Sequence, residues 1–288
     1  MKKLALLSVV VAACGPAIRE SAQRTLTPAE EAKFSELVAA GDAAFAERGQ
    51  RAKLEEAIRA WEQAAALKDD SRAWSNVARG TYLLADGYVL FDENSDEAYL
   101  ATMAKGMDAG TKAIRAYSGK VARKLDLGAK LEDVAGDVEK DGVPALYWYA
   151  TCLGKWAKKQ GTAKAVLYKD TILKIMGRCK ALDEDFFYGA PYRYFGAFYS
   201  FAPPFAGGDV EKGKANFEEA IKRFPDYLAT RVLYAEIYAT KMQDEDLFKS
   251  QLQIVLESKE DAIPEVTFEN QVAKKQAQLL LSRLNEYF

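Results

Sequence analysis

Five pairs of an apolar residue followed directly by alanine or glycine recur at widely spaced, repeat-like intervals along this chain, inside segments of helical period. The pairs are Ala40-Gly41, Val77-Ala78, Leu153-Gly154, Phe195-Gly196 and Tyr234-Ala235. This pattern constrains the fold more than any other feature. Two helices approach to about 8–10 Å only where side chains at the crossing are small, with bulkier ones a turn away filling the adjacent holes. Matching partners stand at second-helix positions, Ala57-x3-Trp61 and Gly213-x3-Phe217. Successive helical hairpins follow, and no segment alternates long enough to predict a strand.

Helix starts are legible along the chain. Thr27-Pro28-Ala29-Glu30 combines a capping hydroxyl, a first-turn proline and a glutamate that can reach back. Ser71, Ser95, Pro144, Thr162, Asp209, Asp226 and Asp244 open later helices, and Phe268 to Asn285 forms a terminal one. Gly119 to Gly142, rich in charge and glycine, predicts an insertion with a short helix from Leu127 to Val138 outside the main stack. The small-residue pairs recur at intervals of 37, 76, 42 and 39 residues, longer than the roughly 34 of a strict tetratricopeptide. The expected fold is all-α. It is a tetratricopeptide-like superhelix of hairpin repeats over residues 28–288. Its C-terminal capping helix turns a polar face (Lys274, Lys275, Gln278) to the open end. A helical bundle without repeat symmetry is the alternative.

The N-terminus reads as a targeting segment. Lys2 and Lys3 precede an apolar run from Leu4 to Val11, too short to span a bilayer. Val11-Ala12-Ala13-Cys14-Gly15 resembles a bacterial lipobox, which implies a signal peptide over 1–13, cleavage before Cys14 and acylation there. Several acyl chains hold a protein on a membrane far better than one, since each buried CH2 adds roughly 0.8 kcal/mol. Residues 14–27 then form a polar tether. Gly15 stands where an aspartate would favour inner-membrane retention, so the expected location is the outer membrane, facing the periplasm.

Composition excludes little but directs attention. The net charge of −2 gives no global pull toward nucleic acid. Histidine is absent, which removes the commonest general base and metal ligand. No metal-ligand spacing or nucleophile–base pairing emerges, so neither metal, cofactor nor enzymatic activity is expected. Cys152 and Cys179 fall about 10–14 Å apart along an antiparallel helix pair, beyond the roughly 7 Å a disulfide spans. Two buried thiols are expected, with a disulfide between them as the alternative.

Ten of the twenty residues from Phe186 to Phe205 are aromatic, against 11% of the whole chain. On the helix from Pro191, Tyr192, Phe195 and Tyr199 share one face; Tyr194, Phe198 and Phe201 share another. One interface cannot bury both. Either the rings pack a core between two neighbouring helices, or Tyr192, Tyr194, Phe198, Tyr199 and Phe201 include the lining of a ligand or partner surface. After them, Pro203-Pro204 and Gly207-Gly208-Asp209 form a loop that an ordinary repeat lacks. Glycines before a helix raise the question of a phosphate site. Asp209 would occupy those donors and repel an anion, so the loop reads as a turn and a cap.

In this loop and its surroundings the chain resembles the T-component lipoproteins of tripartite ATP-independent periplasmic (TRAP) transporters. The matching pieces run from the lipobox at Cys14 through Ala145-Leu146-Tyr147-Trp148, Tyr188-Gly189, Phe195-Gly196 and the Pro203-to-Asp209 loop. They continue through Phe217-x2-Ala220, Val232-x-Tyr234-Ala235-x2-Tyr238, Asp246-x-Phe248 and Pro264-Glu265, with Asn270, Ala273 and Ala277. The resemblance is densest from Leu146 onward. It implies a periplasm-facing scaffold, able to form a homotrimer with a central pore, that docks the transporter's solute-binding protein. The ligands it implies are apolar or amphipathic. A stand-alone carrier of such a ligand and a general envelope-assembly lipoprotein are the alternatives.

Overall fold

Thr27 caps the first helix as its sequence dictates: its hydroxyl accepts from the Glu30 N–H, and the Glu30 carboxylate takes the Thr27 N–H at 2.9 Å. The computed structural model describes residues 25–288; Cys14, the signal peptide and most of the tether lie outside them. Among the described residues the chain is helical throughout, with no strand, and no helix is long and apolar enough to cross a membrane.

Helices α1 (Pro28–Ala46), α2 (Arg51–Leu67), α3 (Ser71–Gly87) and α4 (Asp96–Ala116) pack in succession, each on the next. Helices α5 (Gly119–Asp126) and α6 (Leu131–Val134) then lead into α7 (Val143–Lys159), which packs on α3, α4 and α8 (Thr162–Leu182). α9 (Phe186–Phe201) pairs closely with α10 (Val210–Arg223). α11 (Ala229–Leu233), a π turn at Tyr234–Ala239 and α12 (Thr240–Met242) run on as one rod beside α13 (Glu245–Glu257) and α14 (Thr267–Ser282).

The small-residue crossings explain these pairings. A Cβ on Gly41 would lie 2.5 Å from the Trp61 ring, and one on Gly196 would lie 2.8 Å from the Phe217 ring. The same glycine-under-aromatic contact thus locks α1 to α2 and α9 to α10. Trp61 is 2% exposed and Phe217 wholly buried. Burying such a side chain contributes about 1.5–3 kcal/mol.

The insertion departs from its expected form. Its helices lie at 119–126 and 131–134, separated by a turn in which Gly128 has φ +90°, and no single helix runs from Leu127 to Val138. Nor does it stand outside the stack. Val121, Val134 and Val138 are fully buried in the same core as Leu146 and Trp148. Its charges stay on the outer side, where Lys120 and Lys124 both reach Asp137. Several helix starts also shift by a residue or more. Asp70 rather than Ser71 caps α3, Gly161 with φ +102° precedes α8, and α11 begins at Ala229 rather than at Asp226.

Within the start of α9 the backbone makes a left-handed turn at Phe187, Tyr188 and Gly189, with φ of 43°, 59° and 69°. Left-handed geometry costs bulky residues roughly 1–2 kcal/mol each. Arg193 holds the turn: its Nη1 donates to the Tyr188 carbonyl at 2.9 Å and its Nη2 to the Phe187 carbonyl at 3.2 Å, while the guanidinium lies 4.4 Å from the Tyr227 ring. Right-handed helix resumes at Ala190, so Pro191 sits in the first turn, where its missing N–H is harmless.

Helix α14 turns back toward the chain's beginning. Glu269, 5% exposed, accepts from Arg48 at 2.8 Å and from Arg79 at 3.3 Å. Arg48 also donates to the Glu265 carbonyl. The ring of Phe268 stacks on Tyr88 at 5.3 Å.

Candidate functional site: an apolar gap between α7, α8 and α9

The small residues that make tight crossings elsewhere leave open space here. Ala150, Gly154 and Ala157 lie on one face of α7, Ala165 on α8, and Ala190 and Ala197 on α9. A Cβ on Gly154 would meet nothing nearer than Ile172 Cδ1, at 3.9 Å. The Leu153-Gly154 pair is therefore no close crossing, unlike Gly41 and Gly196. Together these residues bound a cavity of about 170 Å³.

Its remaining wall is aromatic and aliphatic. Tyr194, Phe198 and Phe201 project from α9, Tyr82 from α3, Tyr147 from α7, and Ile172 and Met176 from α8. Tyr194 and Phe198 stack at 6.4 Å with planes 16° apart. Leu233 and Ile237 close the side formed by α11 and the π turn; such turns occur often at functional sites. Burial alone pushes the Tyr194 phenol up, and burial leads the rise of Tyr82, with Asp86 adding to it. The Thr151 hydroxyl is buried at this wall without a hydrogen-bond partner.

The charged side chains lining the gap are Lys155, Lys158, Lys169 and Arg193, all cations. Lys155 Nζ donates to Asp86 at 2.7 Å, and Asp86 also accepts from the Tyr99 hydroxyl at 2.7 Å. Burial works most strongly on Lys155, against its charged form, but Asp86, Tyr99 and Glu236 together outweigh it and the group ends above its ordinary range. Lys158 Nζ donates to Glu236 at 2.7 Å. Burial pushes Glu236 up, Lys158 and Lys155 oppose it, and its carboxyl ends below the usual range. Lys169 pairs with the exposed Asp170 at 2.7 Å. Arg193 is 5% exposed, and its partners are carbonyls and the Thr230 hydroxyl.

The two aromatic faces of α9 thus separate. Tyr194, Phe198 and Phe201 line the gap; Tyr192 and Tyr199 do not. Tyr192 donates to Glu184 at 2.5 Å and lies under Lys180 at 3.9 Å. Tyr199 stacks on Phe195 at 5.9 Å. The loop after α9 is architectural. Pro204 opens a 3-10 turn, Gly207 adopts φ +95°, and a Cβ on Gly208 would lie 1.8 Å from the Ala202 carbonyl oxygen. Asp209 caps α10 by accepting from the Lys212 N–H at 3.1 Å, and no anion site forms. From Pro203 the loop carries Phe205 outward, 87% exposed. Cys152 and Cys179 are buried free thiols.

A family model described as TRAP transporter T-component matches residues 91–288. The chain belongs to the TRAP transporter T-component family. A comparison with individually curated proteins gave no match. The match in this T-component spans every helix that bounds the gap except α3, which contributes Tyr82.

The titration of this T-component is set by its lack of histidine. Burial pushes the Cys179 thiol up to about 12 and Cys152 higher still. Glu236 and Asp209 sit below their ordinary 4.5 and 3.8. A lowered carboxylate contributes stability above its unfolded pKa, and that stability is lost as pH falls through the folded value. Lys155, raised, loses its contribution only above its ordinary 10.5. The melting temperature followed by circular dichroism is therefore expected to stay level from about pH 5 to 9 and to fall below about pH 4. A step between pH 6 and 8 would contradict the assignment.

Proposed function

We propose that this T-component is a non-enzymatic, periplasm-facing lipoprotein scaffold. It binds the solute-binding protein of a TRAP-type transporter and handles an apolar or amphipathic ligand in the gap between α7, α8 and α9. The scaffold is a tetratricopeptide-like array of helical hairpins over residues 28–288, closed by α14. A signal peptide over 1–13 and a tether over 14–27 place it on the outer membrane through lipid on Cys14, as a homotrimer.

The observation that carries the ligand part is the open space beneath Gly154. Close packing elsewhere in this chain depends on small residues, and interiors otherwise leave few voids larger than a water molecule. A gap bounded by alanines, glycine and aromatic rings, with a few polar groups converging on it, is the ordinary form of a small-molecule site. The repeat reading is supported by the shared Gly41–Trp61 and Gly196–Phe217 contacts.

The test is capture of the tethered chain from membranes with its bound partner, identified by mass spectrometry. A solute-binding protein encoded beside TRAP membrane subunits is expected in the bound fraction. Cys14→Ser chain is expected to leave the membrane fraction while remaining folded. Recovery without any solute-binding protein would overturn the scaffold reading, and continued sedimentation of the Cys14→Ser chain would overturn the anchor.

A further inference from the structure

The charges around the gap discriminate among ligands of the proposed class. Lys155, Lys158, Lys169 and Arg193 line it, whereas Asp86, Glu236 and Asp170, the acids paired with the three lysines, do not. The charged groups that a molecule in the gap touches are thus all positive. Arg193 adds a cation with no carboxylate within ion-pair distance among the described residues; its partners are two carbonyls, one hydroxyl and the Tyr227 ring. A buried cation left uncompensated is costly, and an anion nearby relieves that cost. The unpartnered Thr151 hydroxyl offers a further donor at the same wall.

We propose that the gap selects an amphiphile with one apolar chain and an anionic head. The chain lies against Tyr194, Phe198 and Phe201, and the head lies among Lys155, Lys158 and Arg193. A neutral amphiphile fills the same apolar wall but brings Arg193 no countercharge. A cationic one meets only cations among the charged groups that line the gap, with Arg193 alone lacking a paired acid, which is the repulsive half of specificity. The head chemistry that fits is a carboxylate or a phosphate monoester, each able to take several charge-assisted hydrogen bonds. The inference rests on the reading of the gap as a ligand site.

The experiment uses the secreted chain carrying Cys14→Ser, which has no acyl chains of its own to compete. Binding of cis-parinaric acid is followed by its fluorescence and compared with that of its methyl ester. Loss of a charge-assisted interaction predicts about tenfold weaker binding of the ester. Lys158→Gln is chosen because Glu236 is partly exposed and tolerates losing its partner. It is expected to weaken the acid several-fold and leave the ester unchanged. Decanoate or decyl phosphate displaces the probe, the stronger of them naming the head group, and decyltrimethylammonium does not. Equal binding of acid and ester, or equal displacement by the ammonium compound, would overturn the anionic head while leaving the gap as a ligand site. Binding of neither probe would overturn both.

Discussion

Glu269→Ala is expected to lower the unfolding free energy by about 3–5 kcal/mol, the usual cost of stripping a partner from a buried ion network. Glu269 is 5% exposed, and two guanidiniums converge on it: Arg48 through Nε at 3.2 Å and Nη2 at 2.8 Å, and Arg79 through Nη2 at 3.3 Å. Arg79 is itself enclosed, its guanidinium 4.6 Å from the Phe45 ring and 5.2 Å from the Phe187 ring. Burial draws its pKa down, and the Glu269 carboxylate is the chief group opposing that. Without the carboxylate, two buried cations face each other with no acid between them. The contact also has a place in the architecture. Arg48 and Arg79 precede the family match, whereas Glu269 lies inside it on α14. The network therefore fastens α1–α3 to the remainder of the chain. Urea unfolding checks the magnitude. Replacing all three by apolar residues, with Arg48→Met, Arg79→Leu and Glu269→Leu, is expected to recover most of the loss, because a buried ion network is often matched by well-packed hydrophobic residues. A cost under about 1 kcal/mol for Glu269→Ala would show that water reaches the two arginines.

Gly154→Phe is expected to separate stability from binding. A glycine inside a helix costs about 1 kcal/mol relative to alanine. A Cβ at residue 154 meets its nearest neighbour at 3.9 Å, an ordinary contact. The ring then enters the open space of about 170 Å³ instead of a packed core. The variant is expected to melt no lower than the natural chain and to bind the ligand of the gap at least tenfold more weakly. The same change at Gly41 or Gly196 would drive a side chain into Trp61 or Phe217, and overpacking of that kind typically costs about 1–3 kcal/mol. The contrast distinguishes a glycine that permits helix contact from one that keeps space open. A drop in melting temperature for Gly154→Phe as large as that for Gly196→Phe would mean that the gap closes in solution.

Much of this was legible in the sequence because it depends on local chemistry. The Thr27 capping box and the Asp209 and Asp244 caps need only a side chain and an N–H two or three residues on. The Gly196–Phe217 crossing was legible from spacing, since helical geometry fixes which residues face a partner. The role of Gly154 was not, because an identical Leu-Gly pair serves a tight crossing or an open wall depending on what the facing helix presents. At Gly154 the facing helix presents Ala165, Val166 and Ile172, which leave space. The left-handed turn at Phe187 and Tyr188 was hidden for a related reason. Bulky residues avoid positive φ, and only the tertiary hydrogen bonds of Arg193 hold them there. In the insertion after α4 the abundant charges mask the three apolar residues, Val121, Val134 and Val138, that enter the core. Of the two aromatic faces of α9, periodicity separated them but did not say which one meets the gap.

Whether the gap holds a ligand is read out by native mass spectrometry of the chain purified from its own cells under mild conditions. A small-molecule adduct is expected on the natural chain and is expected to be lost from Gly154→Phe protein prepared the same way. A natural chain without adduct, or one whose adduct persists unchanged when residue 154 carries phenylalanine, would contradict the reading of the gap as a ligand site.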